Sequence, residues 1–439
     1  MVDIARLSTS QTGFWDSLSD RLSWDSGVTS RVASVVEDIL EAVRVRGDKA
    51  LLGYSAQLDD LRAETVAELS VDKARLAQAH QSLGAEQRQA LDGAADRIRR
   101  YHEHQVAESW SYTEPNGTRL GQQVTPLEHV GIYAPGGTAA YPSSVLMSAI
   151  PARVAGVDDL VVAAPAPGGV ISEWTLAAAH SAGVDRVFRL GGAHAIGALA
   201  FGTETVPAVD KIVGPGNAYV AEAKRRVFGR VGIDMVAGPS EVLVICDGQT
   251  EPEWVAMDLF AQAEHDEDAR AMLVCPDEAY LDRVHAAMDR LLPELERASI
   301  IRASLAQRSA LIHVQDLAEA VEVANFVAPE HLELSMTEPE QAAAGIRHAG
   351  AIFMGRHSAE VLGDYCAGPN HILPTSRTAR FASPLGVYDF QKRTSVVNCT
   401  QTGGAELGRI AQIMARAEGL TAHARSAAHR LEGDGSDAS

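Results

Sequence analysis

The spacing of apolar residues changes character along the chain. From about Thr29 to Val106, apolar side chains recur three and four positions apart, as at Val36, Ile39 and Val43. That spacing places them on one face of a helix and predicts an α-rich region. Further on, single helices alternate with short apolar runs of the length of buried strands.

A hairpin is predicted between these two parts. Asn116-Gly117 stands between the run 110–112 and the run Arg119 to Val124. Asn-Gly supplies the positive φ angles of a type I′ turn, which matches the twist of two antiparallel strands.

From His129 to Cys246 the pattern is that of a parallel α/β domain, in which each strand is followed by a glycine-rich turn and a helix. The strands are predicted at Val130 to Ala134, Leu160 to Ala164, Arg186 to Leu190 and Lys211 to Val213. The turns are 135–137, 166–169, 191–192 and 214–217. Open parallel sheets bind ligands at the carboxyl ends of their strands, where these turns lie.

A second stretch of alternation follows Cys246. It begins with a capping box, Thr250-x-x-Glu253, which starts a helix that runs to about His265. Strands are predicted at Ala271 to Cys275, Leu311 to Val314, Leu332 to Met336 and Ile352 to Met354. The fold class is therefore α/β, with two incomplete Rossmann-like domains, one inserted in the other, and small helical appendages at both ends.

The predicted boundaries follow the changes in pattern. They are an N-terminal segment 1–25, an α/β domain formed by 26–128 with 241–382, a nucleotide-binding-like domain 129–240, a C-terminal helical appendage 383–430 and a disordered tail 431–439.

Composition narrows the classes of partner. The formal net charge is −20, which argues against nucleic acid and anionic membranes, because phosphate binding requires clustered Lys and Arg. No run approaches the roughly 20 apolar residues of a membrane span, and the N-terminus lacks the apolar core of a signal peptide. We expect a cytoplasmic protein that acts on a small molecule.

The four cysteines are not spaced as a metal or redox motif. Cys246 and Cys275 end apolar strand-like runs, which predicts buried, reduced thiols. A bound metal would therefore take nitrogen and oxygen ligands.

Several short motifs have both a chemical and a structural interpretation. Gly214-Pro215-Gly216-Asn217 opens a helix after a strand, where backbone N–H groups bind phosphate. Tyr219 stands where a dinucleotide fingerprint has its third glycine, so the turn by itself indicates a cofactor site and a structural turn about equally.

Five other positions are weak evidence when each is taken alone. Gln262 and His265 lie three apart on one predicted helix and could share an ion. Asp364 lies in a predicted polar loop, where a hydrogen bond within the turn is favoured over a functional role by about two to one. Glu330-His331 lies at a loop-to-strand junction, where both groups could serve as general bases.

Read together and in order, these stretches resemble histidinol dehydrogenase, from about residue 20 to residue 430. The motifs that carry the resemblance are Val213-Gly214-Pro215-Gly216-Asn217, Gly238-Pro239-Ser240-Glu241, Gln262-Ala263-Glu264-His265, Pro329-Glu330-His331, Gly363-Asp364-Tyr365, Asn370-His371 and Glu418-Gly419-Leu420-Thr421-Ala422-His423. The family oxidises L-histidinol to L-histidine through an aldehyde in two NAD-dependent steps, the last of histidine biosynthesis. Its members are homodimers with one zinc per subunit.

The resemblance implies a role for each matched residue. It implies zinc ligation by Gln262, His265, Asp364 and His423, and acid/base roles for Glu330 and His331. The residues it places at the substrate are Ser240, Gln262, His265, His331, Asp364, Glu418 and His423. Because the family forms intertwined dimers, we expect Glu418 and His423 to serve the partner subunit's site.

The implied NAD contacts are Tyr133, His194 and Asn217. At position 194 the family has Gln, and this chain has His. Both side chains form hydrogen bonds, so we expect the contact to be kept.

Two other classes remain as alternatives. A zinc hydrolase would use a metal-bound water with Glu330 as the base, but it has no use for a nucleotide turn at 214–217. A catalytically silent metal-binding relative is disfavoured by the intact Glu330-His331 pair.

Overall fold

The computed structural model describes residues 2–23, 30–136, 141–236 and 238–431. Contacts divide the chain into two compact units. The first comprises 1–105 and 128–390, and the second comprises 106–127 and 391–439. The predicted disordered tail falls, from residue 432 onward, outside the described residues.

The first unit contains a six-stranded sheet, sheet A, in which every pair of neighbours is parallel. Its strands are β1 (Ala5–Ser8), β10 (Glu241–Cys246), β11 (Arg270–Cys275), β12 (Ala310–His313), β13 (His331–Ser335) and β14 (Ala351–Met354), in the order β1-β12-β11-β10-β13-β14. Along β10, Val242 and Val244 face one apolar cluster and Leu243 and Ile245 face the other. This two-sided burial explains why the strand is an uninterrupted apolar run.

Helices cover both faces of sheet A. They are α1 (Phe14–Leu22), α10 (Pro252–Ala263), α11 (Glu278–Leu291), α12 (Ala298–Gln307), α13 (Leu317–Val327), α14 (Glu340–Gly345) and α15 (Glu360–Tyr365). The predicted capped helix is α10, which has Pro252 in its first turn.

The first unit also contains sheet B, in the order β2-β7-β6-β5-β8-β9. Its strands are β2 (Ser70–Val71), β5 (His129–Tyr133), β6 (Asp159–Ala164), β7 (Arg186–Arg189), β8 (Lys211–Val213) and β9 (Gly232–Ile233). All pairs are parallel except β2 with β7, which is antiparallel. The helices around it are α2 (Ser30–Arg46), α3 (Asp48–Leu58), α4 (Lys73–Ser82), α5 (Ala85–Glu103), α6 (Pro142–Ala155), α7 (Glu173–Ser181), α8 (Gly192–Phe201) and α9 (Ala218–Val227).

The second unit is an antiparallel sheet with two helices. Its strands are β3 (Trp110–Thr113), β4 (Arg119–Pro126) and β15 (Gln391–Asn398), in the order β15-β4-β3, and its helices are α16 (Gln401–Ala417) and α17 (Thr421–Ala428). The predicted hairpin is present as β3 and β4, but its turn is not the predicted type I′. Gly117 has a positive φ and Asn116 does not, and the N–H of Gly117 donates to the carbonyl oxygen of Glu114.

The α/β class with two parallel sheets is confirmed, but three predicted boundaries differ from the structure. Residues 30–103 join sheet B instead of sheet A, because Val36, Ile39 and Val43 pack into the core that contains Val161 and Phe188. The N-terminal segment contributes β1 to sheet A. The hairpin 106–127 was predicted within the domain of sheet A, but it belongs to the second unit, because β4 pairs along its full length with β15 of the C-terminal appendage.

Candidate active site

Three buried polar residues lie together at the amino ends of two neighbouring strands of sheet A, β10 and β13. Glu241 is the first residue of β10, and His331 is the first residue of β13, directly after Glu330. The strands pair with Val242 beside His331. Open parallel sheets usually bind their ligands at the carboxyl ends of the strands. In sheet A, the helices that return from those ends bring the remaining groups back to the amino ends.

His331 is held in one orientation by the backbone of β10. Its Nδ1 donates to the carbonyl oxygen of Glu241 at 3.0 Å, which in the neutral ring leaves the lone pair on Nε2. Nε2 lies 3.4 Å from Oδ1 of Asp364. Burial alone would lower the pKa of His331, but the charges of Glu360, Glu330 and Asp364 together raise it well above its usual value.

Glu330 is buried and is tied to the start of β10. Its Oε2 accepts the backbone N–H of Glu241 at 2.9 Å and lies 3.6 Å from Nδ1 of His331. Burial raises the pKa of Glu330 to about 8, although the charge of His331 opposes the shift. A carboxyl group that titrates near neutral pH is suited to general base catalysis.

Asp364 lies in the helix α15, whereas the sequence predicted a loop there. The helix forms because Glu333, on β13, accepts the first N–H of α15, that of Glu360, at 2.6 Å and so satisfies a helix end. Burial would raise the pKa of Asp364, but the hydrogen bond and charge of His331 lower it, so this carboxylate is ionised at neutral pH.

Among the described His, Cys, Asp and Glu side chains, one group of three is close enough together to hold a metal ion. His331, Glu360 and Asp364 present ligand atoms that all lie within 4.8 Å of one another. The sequence singled out His331 and Asp364 but missed Glu360. Glu360 lies four residues before Asp364 and so on the same helix face, a relation visible only once this segment is known to be helical.

Gln262 and His265 lie at the end of α10. Gln262 is fully buried, and neither its Oε1 nor its Nε2 has a hydrogen-bond partner. A buried amide without partners is costly unless a ligand completes it. His265 is exposed to solvent; desolvation by neighbouring atoms lowers its pKa, and the charge of Asp364 opposes that effect.

A metal ion fits the chemistry of these donors. They are an unpartnered amide, an ionised carboxylate and an imidazole of lowered pKa, and a ligand must be deprotonated to bind. Two predicted site residues belong to the second unit. His423, the remaining predicted ligand, lies near the start of α17, and Glu418, a predicted substrate contact, directly follows α16. Ser240, a further predicted substrate contact, immediately precedes β10, and its carbonyl accepts the N–H of Arg270 at 3.0 Å.

The predicted cofactor residues lie at the carboxyl ends of sheet B. Tyr133 ends β5, and its hydroxyl accepts the N–H of Gly192 at 3.1 Å. Asn217 caps α9 by accepting the N–H groups of Tyr219 and Val220. Position 214, at the start of the same turn, requires glycine, because a Cβ there would lie 2.1 Å from the carbonyl oxygen of Tyr133.

His194 occupies a different environment from the one expected. Its side chain is fully buried, and its Nε2 lies 3.0 Å from Oδ2 of Asp59. The same Asp59 oxygen accepts the N–H of Gly191 at 3.3 Å. His194 therefore supports the 191–192 turn from within the core and presents no surface to a ligand in this conformation.

The two parallel sheets, with a buried acid/base pair in one and glycine turns in the other, are those of an α/β enzyme.

The family model for histidinol dehydrogenase matches residues 24–431. A histidinol dehydrogenase of Pseudomonas fluorescens is 59% identical over 431 residues, 98% of each chain, and one of Nitrosospira multiformis is 59% identical over 430 residues, 98% of each chain. The crystal structure of histidinol dehydrogenase from Elizabethkingia anophelis matches with a TM-score of 0.92 at 34% identity, covering 98% of both chains.

The chain belongs to the histidinol dehydrogenase family. It is accordingly an oxidoreductase of histidine biosynthesis. The resemblance found in the sequence is confirmed by all three comparisons.

Proposed function

We propose that the protein oxidises L-histidinol to L-histidine through L-histidinal, with NAD as oxidant in both steps. The observation that carries the proposal is the pairing of two different bases at one place. His331 has its Nδ1 fixed on a carbonyl, and Glu330 lies beside it with its oxygen 3.6 Å away. An alcohol oxidation and an aldehyde oxidation require two different proton transfers.

In the first step, Nε2 of His331 takes the hydroxyl proton while hydride leaves the carbinol carbon for the nicotinamide. In the second, Glu330 takes a proton from the water that hydrates the aldehyde, and the hydrate loses the second hydride. The raised pKa of Glu330, about 8, makes it a stronger base than an ordinary carboxylate once it is ionised.

Zinc is part of the proposal. Gln262, His265 and Asp364 would hold it, together with His423. When bound, it would supply positive charge that orients the imidazole and amine of the substrate. The unpartnered amide of Gln262 and the ionised Asp364 support this set.

NAD is expected at the carboxyl ends of sheet B, near Tyr133 and Asn217. The close approach of Gly214 to Tyr133 and the glycine turns support a cradle for a dinucleotide. For His194 we propose an indirect role, through Asp59 and the 191–192 turn.

We further propose a homodimer in which Glu418 and His423 complete the partner subunit's site, and a cytoplasmic location. No described helix has the length and apolar character needed to cross a membrane. The described cysteines are all unpaired thiols, which supports a reducing compartment.

The direct test follows NADH absorbance in a mixture of protein, NAD and L-histidinol. We expect two NADH for each histidinol, loss of activity after chelation and recovery with added zinc. No NADH with histidinol would overturn the substrate, and full activity after verified removal of metal would overturn the role of zinc.

A further inference from the structure

A buried ion pair, Lys224 and Asp234, forms hydrogen bonds with Gly214, the first residue of the Gly214–Asn217 turn. The N–H of Gly214 donates to Oδ2 of Asp234 at 2.8 Å, and Nζ of Lys224 donates to the carbonyl oxygen of Gly214 at 2.8 Å. The same ammonium group also pairs with Oδ1 of Asp234. One ion pair therefore binds both backbone polar groups of a single glycine.

Neither member of the pair reaches solvent. The side chain of Lys224 is 3% exposed and that of Asp234 is 1% exposed. Removing two charges from water is costly, and a packed apolar pair of similar volume is often as stable or more so. Stability alone therefore does not account for a charged pair at this position.

In this turn, the backbone N–H and C=O groups of Gly214 need hydrogen-bond partners from side chains. Gly214 follows the last residue of β8, has a φ of +109° and lies so close to Tyr133 that a Cβ would overlap its carbonyl oxygen. At this point the chain leaves the sheet, so no neighbouring strand pairs with its N–H and C=O groups. A buried backbone group without a partner is costly, and the pair supplies both partners from α9 and from the end of β9.

We propose that Lys224 and Asp234 are positioning residues that hold the Gly214–Asn217 turn in the conformation that receives NAD. The inference rests on the proposed function. Because both side chains are buried, they act through Gly214 and do not touch the cofactor. Their removal should weaken NAD binding, and it should leave the site at the amino ends of β10 and β13 unchanged.

The test uses the full-length protein and a double variant, Lys224→Met/Asp234→Leu. Replacing one partner alone would leave an unpaired buried charge and destabilise the fold, whereas the double variant removes both charges and both contacts with Gly214. By titration with NAD we expect the dissociation constant to rise roughly tenfold, which corresponds to about 1.4 kcal/mol. Zinc content and the KM for L-histidinol should stay at wild-type values, and kcat at saturating NAD should change little.

The matched control is Lys211→Met/Asp389→Leu. This pair lies in the same unit, with Nζ of Lys211 3.1 Å from Oδ1 of Asp389, and it begins on β8, the strand that leads into the turn. Neither of its members bonds Gly214. The control should bind NAD like the wild type.

Two results would overturn the inference. One is a folded double variant, with the melting temperature of the control, that binds NAD as tightly as the wild type. The other is an equal loss of zinc, histidinol and NAD binding, which would show a general structural role. If the double variant does not fold, Lys224→Gln/Asp234→Asn replaces it. This variant leaves no unpaired charge and keeps polar groups beside Gly214, but its hydrogen bonds to the N–H and C=O groups of Gly214 lose their charge assistance and weaken. NAD binding should therefore weaken severalfold, and unchanged binding would overturn the inference. Failure of the wild type to reduce NAD with histidinol would instead refute the proposed function.

Discussion

Nε2 of His331 lies 3.4 Å from Oδ1 of Asp364, so the proposed base of the first step and a proposed zinc ligand share one electrostatic environment. The proximity lowers the pKa of Asp364 and contributes to the raised pKa of His331. Positive charge bound at Asp364 would weaken its pull on His331 and bring the imidazole closer to the neutral form that a base requires. We therefore expect metal binding and base strength to be coupled in the proposed site.

The first prediction concerns the metal ligands. Asp364→Asn should reduce zinc affinity by about two orders of magnitude or more, because changes even to groups behind a ligand cost roughly 10- to 100-fold. Activity should fall with zinc content measured by elemental analysis. Glu264→Gln, at an exposed residue beside His265, is the control and should retain zinc. Full zinc occupancy in the Asp364 variant would refute its assignment as a ligand.

The second prediction separates the two proposed bases. Glu330→Gln should slow oxidation of L-histidinal by about 10²- to 10⁴-fold, the usual contribution of a general base. Oxidation of L-histidinol should suffer less, because His331 serves that step. Single-turnover measurements from the alcohol and from the aldehyde give both rates. Equal losses in the two half-reactions would count against water activation by Glu330.

The third prediction follows from the pKa of Glu330 in metal-free protein. Its folded value, about 8, lies above its ordinary value of 4.5. The folded state then binds more protons than the unfolded state between these pH values, so this contribution to stability is present at low pH and is lost as pH rises to 8. The limiting slope is roughly 1.4 kcal/mol per pH unit.

This slope is measured by urea unfolding, between pH 5 and pH 8, of protein from which a chelator has removed the metal. Glu330→Gln has no titrating group at this position, so its free energy of unfolding should fall less steeply than that of the wild type. Identical slopes would show that Glu330 is not the group that titrates.

The fourth prediction concerns the cap of α15. Burial raises the pKa of Glu333 to about 8, so at neutral pH this residue carries a proton that it can donate to its neighbour Asp258. Its Oε1 also accepts the N–H of Glu360 at 2.6 Å. Glu333→Gln keeps a donor and an acceptor and should preserve stability, whereas Glu333→Leu should cost about 1–3 kcal/mol.

Thermal melting of the two Glu333 variants distinguishes these outcomes. The Gln variant should melt near the wild-type temperature, and the Leu variant should melt lower and bind zinc more weakly, because α15 carries Asp364. Equal destabilisation by Gln and Leu would show that the hydrogen bonds of Glu333 do not matter.

The fifth prediction tests sharing of sites between subunits. His423→Asn and His331→Asn should each be nearly inactive alone. In a mixed dimer, one site would combine an intact His331 with an intact His423, and we expect part of the wild-type activity to return. Verified mixed dimers without activity would place His423 in the site of its own subunit.

Much of the fold could be predicted because its signals are local. Most strands of both sheets were placed within one or two residues, since β5, β6, β10 and β13 are buried on both faces and read as apolar runs. Three short strands were not predicted. β2 and β9 have two residues each, and β1 and β2 pair with strands far away in sequence.

The sequence by itself determined the α/β class, the family and most of the order of strands and helices, because apolar periodicity, turn chemistry and the ordered motifs are properties of the chain. It also indicated the candidate site residues, apart from Glu360. Only the tertiary structure decided what each polar group contacts. It placed residues 30–103 on sheet B, brought Glu360 beside His331, buried His194 against Asp59 and set Lys224 and Asp234 around Gly214. These contacts join residues distant in sequence, and their energies depend on burial and on neighbouring charges, which no local pattern records.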